Sequence, residues 1–262
     1  MPRRTTAALI AVLLLSAGLA RAQETVEVDA EIVLAVDASR SMDLAEFAVQ
    51  RDGYLQALRH PDLVRAITAG PLGRIAIAYF EWSGQAQDGS LVPWRVIDGP
   101  AAAARLADEI ATMPVARTRG TSISRAIQFA TVLIEDDAIE GTRRVIDVSG
   151  DGANNVGPPV TGARDEALAR GITINRLPIV ISEFGAQAGL DRYYEDCVIG
   201  GEGAFMVVAQ TGEDLARTIR RKLILEISGL APPARLVPAQ FEPTDCLIGE
   251  KLYRQRDWDQ IR

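Results

Sequence analysis

Three short segments of this chain carry oxygen donors at the ends of apolar runs or the starts of helical patterns. The first is Asp37-x-Ser39-x-Ser41, one carboxylate and two hydroxyls just after the apolar residues 32–36. A strand that ends in such donors suggests a hard-cation site. Two later segments could complete it: Gly120-Thr121-Ser122, opening a helix, and Ser149-Gly150-Asp151-Gly152, closing another apolar run. Each piece also has a plain structural reading. Ser39, Ser41 and Asp43 could cap one helix and Thr121 or Ser122 another, and Asp151-Gly152 is a common turn pair.

The elements that must position these residues are legible as an alternation of short apolar runs with longer helical periods between Glu31 and Gly229. Strands buried on both faces by crossover helices have this pattern. It predicts an α/β fold: a doubly wound, mostly parallel six-stranded sheet with helices on both faces. The strands fall at residues 32–36, 74–80, 91–96, 144–148, 172–181 and 204–209. Pro93 and the short connection from Phe80 make residues 91–96 an antiparallel edge strand. The first helix places Leu44, Phe47, Tyr54, Leu55 and Leu58 on one side, with Asp43 and Glu46 spaced like a capping box. Further helices are predicted at 101–113, around Ile123, Ile127, Ala130 and Ile134, at 161–170 before Gly171, and at 213–228 with a start at Thr211. Residues 182–203, which hold Tyr193, Tyr194 and Cys197, read as a long irregular connection. In such a sheet Asp37 and Asp151 follow neighbouring strands at the carboxyl edge, where ligands bind.

Asp-x-Ser-x-Ser, a loop Thr and an Asp-Gly after a strand, in this order, resemble the metal-ion-dependent adhesion site of von Willebrand factor type A (vWA) domains. The likeness covers residues 30–229 and implies a vWA/Rossmann-like fold. By this resemblance Asp37, Ser39, Ser41, Thr121 and Asp151 would be the metal ligands. The serines and threonine would bind directly and the acids directly or through water. Two carboxylates and three hydroxyls suit Mg2+ or Mn2+, with Ca2+ less favoured because bidentate acids are not evident. Two aspartates would only cancel the charge of a dication, so it would stay attractive to an acidic side chain of a protein partner, as the family's behaviour implies. Gly150 departs from the Thr often found before the final Asp, and Arg40 and Arg119 put positive charge beside two ligand segments. Asn154 and Asn155 add amides at the expected mouth.

Arg3 and Arg4 precede an apolar stretch over residues 7–15, and Ala20-x-Ala22 supplies a cleavage signature, so residues 1–22 read as a secretory signal peptide. The apolar core is shorter than a membrane span requires. The expectation is a periplasmic or secreted protein cleaved near Ala22, with a main domain over 23–230 and a proline-rich linker and tail over 231–262. Its Leu252, Tyr253 and Trp258 could dock on the domain. Removing the leader takes the formal charge from −7 to −10, which argues against a nucleic-acid partner. Cys197 and Cys246 are the only cysteines. In an exported chain they could join the tail to the domain, worth roughly 4 kcal/mol in the chain-entropy model, or they could stay reduced. A signal peptide, a vWA-like core and a short cysteine-bearing tail together resemble an uncharacterised group of exported bacterial proteins whose membership defines no activity.

The expected function is therefore a non-enzymatic, metal-dependent protein-binding module. Two alternatives from other classes are a metal-dependent phosphohydrolase and a metal-free interaction module. The first would want a second Asp at position 39, where this chain has Ser39. Neither a Gly-x-Ser-x-Gly elbow nor a phosphate-binding loop is present. His60, the one histidine, lies at a predicted helix end rather than in the candidate site.

Overall fold

The computed structural model describes residues 25–40, 42–115, 117–178, 189–207, 212–230 and 243–260. The expected leader, Ser41, residues 179–181, 208–209 and Thr211, and the proline-rich linker at 231–242 lie outside the described residues.

A five-stranded sheet forms the centre, in the order β4-β3-β2-β6-β7. These strands are β2 (Glu31–Asp37), β3 (Ile75–Trp82), β4 (Ala86–Ile97), β6 (Arg144–Gly150) and β7 (Thr173–Pro178). All pairings are parallel except that of β3 with β4 at the edge. The expected count of six is corrected here. The segment predicted as the sixth strand meets β7 through an isolated bridge between Arg176 and Met206. A separate parallel pair joins β1 (Val26–Val28) to β5 (Ile139–Gly141). Three-residue strands with a central glutamate leave no periodic signal to read.

β2 is apolar on both faces because both are covered. Ile32, Leu34 and Val36 enter one core with α1 (Leu44–Arg59), α2 (Pro61–Thr68), α3 (Pro100–Ala111) and α7 (Gly212–Ser228). Val33 and Ala35 enter the other with α4 (Ile123–Glu135), α5 (Val160–Ala169) and α6 (Leu190–Cys197). Each fully buried Leu or Ile contributes roughly 1.5–3 kcal/mol. The capping box of α1 is complete: the Asp43 carboxylate accepts from the Glu46 main chain and that of Glu46 from the Asp43 main chain, each at 2.8 Å. Leu44, expected on the inner face, is instead 66% exposed at the first turn. His60 caps α2, its Nδ1 accepting from the Asp62 main chain at 3.1 Å. α5 and α7 end at Gly171 and Gly229, both at positive φ.

α7 carries a buried cation to the sheet. Lys222 pairs with Asp147 of β6 at 2.5 Å and with Glu226, which accepts from Asn175 of β7 at 3.0 Å. The connection expected to be irregular contains α6, and Cys197 at its end is joined by a disulfide to Cys246. Beyond it lies α8 (Ile248–Gln260). Of the tail residues expected to dock, Leu252 is 39% exposed, Tyr253 is half-buried and the side chain of Trp258 lies outside the described residues. Cys246 and Ile248 pack on the core. Among the described residues no helix is long and apolar enough to cross a membrane.

Candidate functional site

β2 and β6 are neighbours, so the loops after them leave the same edge of the sheet together. Asp37, the last residue of β2, is fully buried. Its Oδ1 accepts from the Ser39 main chain at 2.7 Å, and the Ser39 hydroxyl also bonds to its carboxylate. Its Oδ2 has no hydrogen-bond partner among the described residues. Gln50 of α1 fixes the Asp37 carbonyl at 2.9 Å. Burial pushes the Asp37 carboxyl up to about 7, the charge of Asp151 adds to the rise, and Ser39 and Arg176 oppose it.

The approach of β6 to Asp37 accounts for Gly150. A Cβ there would sit 2.5 Å from Asp37 Oδ2 and 2.9 Å from Asp37 Cβ, so a threonine at this position would collide with the carboxylate. Asp151 follows, half-buried. Its charge is felt by Asp37, by Glu46 and by Arg176, so it sits among them. The third loop closes on the second. Thr121, 2% exposed, donates its main-chain N–H to Asn155 Oδ1 at 2.8 Å and accepts from the Asn155 main chain at 2.8 Å. A Cβ on Gly152 would lie 3.9 Å from Thr121 Oγ1. Ser124 donates to Asn154 Oδ1 at 3.0 Å. The asparagines therefore tie the second ligand loop to the start of α4.

The structure thus brings Asp37, Ser39, Thr121 and Asp151 to one edge, while Ser41 lies outside the described residues. Sequence reasoning passed over two arginines. Arg117 donates to the Ser39 carbonyl at 2.8 Å and to that of Met42, holding the first loop. Arg176, fully buried on β7, donates to the Gly150 carbonyl at 2.8 Å and stacks on Tyr194. Burial lowers its pKa and the charges around it resist. A lone arginine inside the apolar run 172–181 was the available signal.

Among the described residues no three acids, histidines or cysteines converge on a point. Any cation here would therefore depend on the hydroxyls. The donor set fits one, because a buried carboxylate oxygen without a partner stands beside a second carboxylate and neutral hydroxyls, all hard oxygen.

Sheet order and covering helices give a vWA-like α/β fold. Solved structures share the fold: the vWF domain of the type V pili tip protein Mfa5 from Porphyromonas gingivalis is 12% identical over 81% of this chain and 99% of that one, with TM-score 0.53. The pilus adhesin SpaC from Lactobacillus rhamnosus GG is 13% identical over 76% of this chain and 30% of that one, at TM-score 0.52. Proximal thread matrix protein 1 from the mussel byssus, with a zinc-occupied MIDAS motif, is 14% identical over 76% of this chain and 46% of that one, at 0.51. The chain thus spans less than half of the adhesin and of the mussel protein. It belongs to the family described as "Protein of unknown function (DUF1194)", whose model matches residues 27–231. No curated protein matches it.

Proposed function

We propose that this protein is an exported, non-enzymatic vWA module that binds one divalent cation, Mg2+ or Mn2+, and through it a protein partner presenting an acidic side chain. The observation that carries the reading is the buried Asp37 Oδ2, without a hydrogen-bond partner among the described residues and beside Asp151. Asp37, Ser39, Thr121 and Asp151 would hold the ion, with Ser41 as the fifth donor. When bound, the ion supplies a positive docking point for a carboxylate. The two aspartates match its charge without exceeding it, and the hydroxyls add none. A MIDAS occupied by zinc in the mussel protein supports a divalent cation in this fold, and the leader-like residues 1–22 support export.

The rim suits an acidic partner. Arg40 and Arg119 are exposed, have no ion-pair partner among the described residues, and are brought near each other by the hydrogen bond from the Arg40 main chain to the Thr118 carbonyl at 3.2 Å. Leu44 and Val115, 66% and 55% exposed, provide apolar contact on the same two segments. A partner with a carboxylate for the ion and further acids for the arginines would associate faster at low salt.

Calorimetric titration of the chelator-stripped protein with Mg2+, Mn2+ and Ca2+ tests this. The expected result is saturable binding of about one ion that disappears in Asp37→Asn and Asp151→Asn while both variants stay folded. Absence of binding to the intact protein, or unchanged binding in both variants, would overturn the metal reading.

A further inference from the structure

We propose that the C-terminal segment 243–260 is a clamp that sets the position of the Asp151 loop, with Asn154 and Glu250 as its positioning residues. This rests on the reading of that loop as half of a cation site. The segment lies outside residues 27–231, the part matched by the family model.

Contacts from two helices converge on residues 152–154. From α8, the Glu250 carboxylate accepts from Asn154 Nδ2 at 2.7 Å. Gly249 is buried against the loop: a Cβ there would run into the Asn154 carbonyl and come within 3.1 Å of Ala153 Cβ. From α6, the Tyr193 hydroxyl accepts from the Asn154 main chain at 3.2 Å and the Tyr194 hydroxyl donates to the Gly152 carbonyl. The same α6 carries Cys197, whose disulfide to Cys246 fixes the start of the clamp two residues before α8. Asn154 Oδ1 in turn receives the Ser124 main chain at 3.0 Å. One asparagine therefore links α8, α6 and the start of α4.

Residues 151–155 form neither helix nor strand, so no repeating backbone ladder fixes where Asp151 points. The outside contacts on residues 152–154 hold the segment that follows it. Partners that orient a metal ligand from the next shell typically change affinity by roughly 10–100-fold when removed. Only a glycine at 249 lets a helix approach closely enough for Glu250 to reach Asn154, which ties the position of α8 to that of the loop.

The test measures Mn2+ affinity by calorimetry and, on the metal-free protein, amide hydrogen exchange at residues 152–156. Glu250→Ala and Gly249→Val should each weaken Mn2+ binding by roughly 10–100-fold and speed exchange in the loop. Glu250→Gln keeps an acceptor for Asn154 and should restore both. The clamp is overturned if loop exchange is unchanged in Glu250→Ala and Gly249→Val, or if Glu250→Gln behaves like Glu250→Ala. Should the intact protein bind no Mn2+, the metal reading falls, while the exchange measurement still decides the clamp.

Discussion

The two ends of β2 pose the same electrostatic problem and solve it differently. Glu31 at the start and Asp37 at the end are 1% and 0% exposed. Burial pushes each carboxyl up to about 7. Each also has one oxygen, Glu31 Oε2 and Asp37 Oδ2, without a hydrogen-bond partner among the described residues. At Glu31 the surroundings are the Gly141 main-chain N–H, which donates to Oε1, and the charges of Asp137, Arg144 and Glu140. At Asp37 they are Ser39, which bonds to the carboxylate, and the charges of Asp151 and Arg176. A costly buried acid therefore does not by itself mark a site. The hydroxyl of Ser39 and the second carboxylate of Asp151 beside it make the difference.

That comparison yields a pH test with the largest expected effect. Glu31 titrates at about 7 in the fold against an ordinary 4.5, so its share of stability is full below about pH 4.5 and lost as the pH rises through 7. A rise of that size corresponds to about 3 kcal/mol. In chelator, urea denaturation between pH 4.5 and 8 should show Glu31→Gln losing about 3 kcal/mol less than the parent protein. An identical slope in both would remove the equivalence of the two ends. Asp37, raised in the same direction, should contribute a second loss that saturating Mn2+ abolishes, because a metal ligand must be deprotonated.

Next in size is the response to the ion alone. At a hundred times its dissociation constant, Mn2+ should stabilise the parent protein and Glu31→Gln by about 2.7 kcal/mol, and leave Asp37→Asn unmoved. Thermal or urea unfolding with and without Mn2+ reads this directly. Equal stabilisation of Asp37→Asn would place the ion elsewhere.

Smallest is the effect of the rim. Replacing Arg40 and Arg119 together by serine should tighten ion binding by about 1 kcal/mol or less at low ionic strength, and by nothing measurable in 1 M salt. A change that persists at high salt would mean the arginines act on loop structure rather than through charge.

Much of this architecture could be read from the chain because buried parallel strands write continuous apolar runs and crossover helices write a longer period. β2, β3, β6 and β7 and the helices α1, α3, α4, α5 and α7 follow that rule. β1 and β5 escaped it at three residues each, and α6 and α8 because polar, loop-like composition hid them. In the site, local order around Asp37, Ser39, Thr121 and Asp151 was visible as motif and spacing. What was not visible depends on distant chain segments: Arg176 under the Gly150 carbonyl, Arg117 holding the first loop, and Glu250 reaching Asn154. Gly150 reads from the chain as a departure from the expected Thr. Its reason, the nearness of the Asp37 carboxylate, exists only in three dimensions.

Whether this edge of the sheet holds a cation is decided by an anomalous-difference map from crystals of the protein grown with Mn2+. One peak is expected in contact with oxygens of Asp37, Ser39, Thr121 or Asp151, and the same map would decide the part played by Ser41. A map with no peak there at saturating Mn2+ would rule the cation site out.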